Sequence, residues 1–208
     1  AGAVRVEVVP SVVDVTAYLP AQPSADRSPR IGWIGSPSTW SQYMQPILTS
    51  LLDTAADCGA RLLVVGAAAA RHRLIDRHDW SEDTEVELIR RMDIGIMPMI
   101  DTPWARGKCG YKLIQYMACG LPVVASPVGV NADIVEHGVN GFLATTETEW
   151  KTALTELIRN PSLRHQMGER GREKVEQNFS VQVWGPRISN FLVESAGKSP
   201  SSPCISPF

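Results

Sequence analysis

The sequence predicts an α/β fold, a doubly wound parallel sheet of Rossmann-like layout followed by a helical carboxy-terminal segment. Three observations predict it. Short apolar runs of buried-strand length recur at 31–35, 60–66, 94–98 and 122–125. Segments with a helical apolar period separate them, and parallel neighbours require such crossovers. The runs end at Gly35, Gly66 and Pro98, and open α/β sheets bind ligands beyond the carboxyl ends of their strands.

The chain opens Ala1-Gly-Ala, without Met or a signal-peptide pattern, and enters a Val-rich strand from Val4 to Val9; it reads as a piece of something longer. With the Pro/Ser/Asp/Arg stretch that begins at Pro20, residues 1–29 form a strand and linker, and the domain runs from 30 to 194. The first run leads into Ser36-Pro-Ser-Thr39, a helix start, and the helix continues toward Gly59 with a kink or new first turn at Pro46. A buried strand at 60–66 follows, and 67–80 holds a third, short one. Ser81, backed by Glu82, Asp83 and Glu85, is an N-cap and acidic first turn for a helix through Met92; with Glu87 these carboxylates form a solvated helix start. After the strand at 94–98 come the helix described below, the strand at 122–125, a short helix capped by Asn131, and a small strand at 141–144. Helices are expected at 146–160, 161–178 and 180–193, then a Ser/Pro-rich disordered tail at 195–208.

Composition narrows the function. At 208 residues the chain buries one core, and its net charge of -2 gives no basic surplus for nucleic acid. No run approaches the ~20 apolar residues of a membrane span, so a soluble protein is expected. Cys58, Cys109, Cys119 and Cys204 have neither zinc-site nor disulfide-framework spacing, which fits a reducing cytoplasm. His72, His78, His137 and His165 are scattered, and no metal constellation emerges.

The most informative stretch is Arg106-Gly-Lys-Cys-Gly-Tyr-Lys112, which leads into a short helix ended by Gly120. Gly107 and Gly110 permit close backbone approach, while Leu113, Ile114, Met117 and Ala118 mark a buried face. Arg106, Lys108 and Lys112 crowd a helix start, where the macrodipole favours negative charge; a phosphate would relieve the repulsion and take the unpaired N–H groups. Lys112 and Gln115 share a helix edge. The other reading is a solvated basic loop.

Gly110-x-Lys-Leu-Ile-Gln-Tyr-Met-Ala-Cys-Gly-Leu-Pro-Val-Val-Ala-Ser126, Pro127-Val-Gly and Gly138-Val-Asn-Gly-Phe-Leu143 together resemble the carboxy-terminal domain of group 1 (family 4) glycosyltransferases of GT-B fold, over Val4 to Phe191. The resemblance implies a domain that binds a nucleotide-diphospho-sugar donor. A separate amino-terminal domain, missing here, binds the acceptor and carries any membrane contact. It also implies retention of anomeric configuration by front-face displacement, without a metal cofactor. The family's two glutamates, eight positions apart, fall on Gly107 and Gln115. Gln115 keeps an amide for ribose, Gly107 offers the sugar nothing, and Asp101 is a substitute carboxylate. No Arg or Lys lies between Ile31 and Ala60, so Gly35 and the hydroxyls of Ser36, Ser38 and Thr39 line the diphosphate. Lys108 and Lys112 then carry the catalytic positive charge.

Cys109, Gly110 and Tyr111 complete the donor loop. Trp80 stands where the nucleobase is held, or is a core or rim residue. Asp133, beside Gly129, contacts sugar hydroxyls, or caps a helix with Asn131. Competing readings are a nucleotide-binding or regulatory subunit without transfer activity, and a sugar-nucleotide epimerase. Val6, Val8, Trp184 and Phe191 are expected to present apolar surface to the absent domain and so to promote self-association.

Overall fold

The computed structural model describes residues 6–20 and 27–197. Six parallel strands form one sheet in the order β3-β2-β1-β4-β5-β6. They are β1 (Arg30–Ile34), β2 (Arg61–Val65), β3 (Ile75–His78), β4 (Ile94–Met97), β5 (Val123–Ala125) and β6 (Gly141–Leu143). The predicted α/β doubly wound fold is therefore the observed one. Its order reverses between β1 and β4, the switch point at which open sheets form a crevice.

The helices follow as α1 (Pro37–Thr39), α2 (Leu48–Asp57), α3 (Glu82–Arg90), α4 (Pro103–Arg106), α5 (Tyr111–Ala118), α6 (Asn131–Ile134), α7 (Glu147–Arg159), α8 (Pro161–Asn178) and α9 (Val181–Gly197). Between α1 and α2 the helix changes winding, with a π turn over Trp40–Met44 and a 3₁₀ turn over Gln45–Ile47. Pro46 lacks the N–H that a continuous α-helix needs there, which accounts for the expected kink.

Strand alternation divides the core. Ile31, Trp33, Leu62, Val64, Ile94, Ile96 and Val124 face α2 and α7. Ile34, Leu63, Val65, Met97, Val123 and Ala125 face α3, α5 and α8. Gly32 and Gly95 belong to the second face, where side chains would collide with Met92 and with the ring of Tyr116. Because Gly95 leaves that room, Tyr116 of α5 crosses the sheet, and its hydroxyl accepts the N–H of Ile34 at 3.0 Å. The β1–β4 pairing covers only Ile31 and Gly32, so a phenol supplies the partner that the diverging strand cannot.

α8 is held close to α5. A side chain at Gly168 would overlap the Gly120 carbonyl, and one at Gly171 would press on Met117. From α8, Arg172 donates to the carbonyls of Val15, Tyr18 and Ala118, fastening the segment before the domain. Val13 bridges Ser180 in that segment.

Four expectations need correction. Val6 to Val9 are not a strand, because no described strand pairs with them; Val4 and Arg5 lie outside the described residues. Asn131 does not cap α6: Val130 is the N-cap, and the buried Asn131 amide turns inward to donate to the Ser126 carbonyl at 3.1 Å. Glu85 is no solvated helix-start residue, since Trp80, Gln115 and Tyr18 all bond to it. Ser195 to Gly197 continue α9, and the rest of the expected tail, 198–208, lies outside the described residues, as does 21–26 of the linker. Among the described residues no helix is long and apolar enough to cross a membrane.

Candidate functional site

The site forms where β1 and β4 separate. Gly35 follows β1, and a Cβ there would lie 2.6 Å from Lys112 Nζ, so the glycine makes room for the lysine head. Lys112 is the second residue of α5, whose N-cap Gly110 has φ 67° and whose first turn contains no acidic residue. A side chain at Gly110 would overlap Ile134, and the left-handed backbone disfavours one in any case.

Aromatic rings carry both lysines. Lys112 Nζ lies 4.9 Å from the Trp33 ring centroid, and Lys108 Nζ lies 4.5 Å from that of Tyr43. Trp33 comes from the end of β1 and Tyr43 from the π turn after α1, so the stretch from Ile31 to Ala60, which bears no Arg or Lys of its own, receives cations from α5 and its lead-in. No carboxylate pairs with either lysine among the described residues. Burial pushes the Lys112 ammonium down to about 8, with the neighbouring Lys108 adding to the effect; burial also lowers Lys108. The phenol oxygen of Tyr43 is buried without a hydrogen-bond partner.

On the other flank stands a polar cluster. A side chain at Gly66 would overlap the Gly35 carbonyl and would lie 3.4 Å from Trp80 Cβ, so Trp80 borders the same crevice. Its indole is 54% exposed, and Nε1 donates to Glu85 Oε2 at 2.6 Å. Glu85 Oε1 accepts from Gln115 Nε2 and, at 3.1 Å, from the Tyr18 hydroxyl. Gln115 Nε2 also donates to Tyr18 at 2.8 Å. Gln115 is thus buried and already bonded, one turn along α5 from Lys112.

The remaining candidates are placed as follows. Asp101 and Arg106 pair with each other, Nε–Oδ1 at 2.6 Å and Nη2–Oδ2 at 2.8 Å, across the base of α4. This bond holds the Asp101 carboxyl below the usual carboxylate range. Ser36 caps α1, with its hydroxyl 2.9 Å from that of Ser38. Gly107 ends α4 at an ordinary φ of -81°, and open space surrounds it, with only the Trp104 carbonyl at 3.6 Å from a built Cβ. Cys109 and Tyr111 are exposed beside it. Asp133 is exposed on α6, and its carbonyl accepts Lys174 Nζ at 2.8 Å.

The structure therefore brings Lys112 beside Gly35 and links Trp80 to Gln115 through Glu85, while Lys108 rests on Tyr43 and Asp101 and Arg106 neutralise each other. Sequence reading missed Trp33, Tyr43, Tyr18 and Glu85. The acidic run at 82–87 was visible, but only the fold shows which of its members turns inward. Among the described residues no three His, Cys, Asp or Glu side chains lie together as a metal site would need.

Comparison with known proteins follows the same lines. A family model described as "Glycosyl transferases group 1" matches residues 28–160. The capsular polysaccharide biosynthesis glycosyltransferase CapM of Staphylococcus aureus is 29% identical over 153 residues, which is 66% of this chain and 40% of that protein. The alpha-1,3/1,6-mannosyltransferase ALG2 of Homo sapiens is 31% identical over 38% of this chain and 19% of its own length. The chain spans well under half the length of these relatives.

Among solved structures, Anabaena HepE in complex with UDP-glucose superposes with a TM-score of 0.69 at 22% identity, over 88% of this chain and 56% of that one. The carboxy-terminal domain of a group 1 family glycosyl transferase from Francisella tularensis superposes with a TM-score of 0.67 at 17% identity, over 82% of this chain and 100% of that one. These similarities are of fold.

Proposed function

The chain belongs to the group 1 glycosyl transferases, and from that membership we propose that it is the donor half of such an enzyme, binding a nucleotide-diphospho-sugar across the crevice between β1 and β4. The observation that carries the reading is Lys112: an ammonium sunk at the N-terminus of α5, over Gly35, with no carboxylate partner among the described residues. A charge held at that cost calls for an anion, and a diphosphate supplies one together with acceptors for the first-turn N–H groups.

In this reading the nucleobase lies on Trp80, and the diphosphate rests between Gly35, Ser36 and the two lysines. Transfer then proceeds with retention, by front-face displacement through an oxocarbenium-like state. Lys108 and Lys112 stabilise the charge that develops on the departing diphosphate, and their ring supports keep them in place beforehand. No metal cofactor is required. In this reading the glycosyl acceptor binds a separate domain, and the domain described here supplies the donor half of the reaction.

Of the four side chains expected to face a partner domain, Val6 (76%) and Val8 (84%) are exposed while Trp184 and Phe191 are half-buried; in this reading the exposed valines, with Leu192 and Val193 of α9, form the surface through which the domain self-associates. The described cysteines, Cys58, Cys109 and Cys119, are free thiols, which suits a cytoplasmic site of action.

A second reading, a nucleotide-binding subunit without transfer activity, is favoured by Gly107 and by the Asp101–Arg106 pair, which leaves the donor loop without a free carboxylate. Calorimetric titration with UDP and GDP tests the donor site, and titration with the corresponding nucleotide sugars divides the readings. Tighter binding of a sugar nucleotide than of its parent diphosphate supports the donor domain, and equal binding supports the subunit. Absence of nucleotide binding at millimolar concentration refutes both.

A further inference from the structure

We infer that Glu85 determines the sugar of the nucleoside: its carboxylate accepts the 2′-hydroxyl of the ribose and sets a preference for ribonucleoside over 2′-deoxyribonucleoside diphosphates. The inference rests on the donor-site reading above and assigns, within it, a role to α3.

Three donors from three distant parts of the chain converge on this one carboxylate. They are the Trp80 indole from the loop after β3, the Gln115 amide from α5, and the Tyr18 hydroxyl from the segment before the domain. No Lys or Arg pairs with Glu85 among the described residues. A carboxylate has about four acceptor directions, so three neutral donors orient it without exhausting it. Glu85 is half-buried, bonded to Trp80, a residue that is itself more than half exposed.

Connectivity then places the ribose. A nucleotide with its base on Trp80 and its phosphates at Lys112 must carry its sugar between them. Trp80 bonds Glu85 directly, and Gln115, one turn along α5 from Lys112, bonds it from the other side. A ribose hydroxyl needs an acceptor, and a charged one is the strongest available; Glu85 keeps one acceptor direction open for it. Gln115 serves here as a positioning residue, its amide donating both to Glu85 and to the Tyr18 hydroxyl that also bonds Glu85. A glutamate at 115 would set two carboxylates against each other, so the amide at 115 and the acid at 85 belong together.

The test compares UDP with 2′-deoxy-UDP, and GDP with 2′-deoxy-GDP, by calorimetry on the full chain and on Glu85→Gln and Tyr18→Phe. Loss of charge-assisted hydrogen bonds predicts a wild-type preference for the ribo form of roughly tenfold or more, falling to about twofold or less in Glu85→Gln. Tyr18→Phe, which removes one orienting bond and keeps the ring, is expected to lie between them. A merely structural Glu85 would weaken ribo and deoxy ligands equally and leave the ratio unchanged. That result overturns the inference, as does a wild-type ratio near one. If neither diphosphate binds the wild-type chain, the donor-site reading falls as well.

Discussion

The ammonium of Lys112 lies 4.9 Å from the centroid of the Trp33 ring, held between β1 and the first turn of α5. The ring face offers partial compensation to a cation that has lost its water. The arrangement keeps a positive charge aimed at the β1–β4 crevice at the expense of stability.

Lys112→Gln is therefore expected to weaken nucleoside diphosphate binding by roughly 1–3 kcal/mol, the range for charge-assisted hydrogen bonds. Stability without ligand should hold or rise, because a desolvated charge beside a helix N-terminus is removed. Calorimetry and urea unfolding measure the two effects. A lower unfolding midpoint with unchanged affinity would make Lys112 a structural residue.

Proton linkage gives an independent check. Lys112 titrates near 8 in the folded chain, against its ordinary 10.5, so the unfolded chain holds this proton more tightly. Its charge disfavours folding below pH 8, and that penalty fades as the pH rises from about 8 to 10.5. Between pH 7.5 and 9.5 the wild type should gain stability relative to Lys112→Gln. Over the same interval its affinity for UDP should fall, while that of the variant changes less.

Gly168→Ala is expected to destabilise the chain by roughly 1–3 kcal/mol, although alanine is the better helix former. The added methyl would overlap the Gly120 carbonyl where α8 meets the end of α5. Thermal unfolding decides; a variant at or above wild-type stability would show that the two helices separate freely.

Arg172→Ala strips the carbonyls of Val15, Tyr18 and Ala118 of a shared donor. Hydrogen bonds to a charged group predict a loss of about 2–4 kcal/mol. Hydrogen exchange should accelerate first over 13–18, before the sheet. Uniform acceleration across the domain would mean that the segment is held by its apolar contacts instead.

Gly107→Ala should be tolerated within about 0.5 kcal/mol, because the position has an ordinary φ and open surroundings. Gly107→Glu should fold equally well and restore a carboxylate to the donor loop. Tighter binding of UDP-glucose relative to UDP in that variant would show that the missing side chain limits sugar recognition. Unfolding of either variant at lower temperature would contradict the open surroundings.

Much of this protein is written locally in its sequence. The apolar runs of β1, β2, β4 and β5, the Ser81 cap, the Pro46 break and the Gly110-to-Gly120 helix are each set within about ten residues, by periodicity and by turn and capping chemistry. The concentration of basic residues before α5 and the absence of any after β1 are likewise properties of the chain alone. Only the tertiary structure decided which groups meet. The sequence offers Arg106 and Asp101 as separate charges, and the fold pairs them with each other. Val6 to Val9 have strand-forming side chains, but no described edge receives them. Gln115 meets Tyr18 across 97 positions, and Tyr116 meets Ile34 across 82. Local pattern fixes which face of a helix is buried, because burial depends on period. Side-chain partners depend on how separate elements pack, so the ring supports of the lysines and the convergence on Glu85 exist only once the sheet and its helices are assembled.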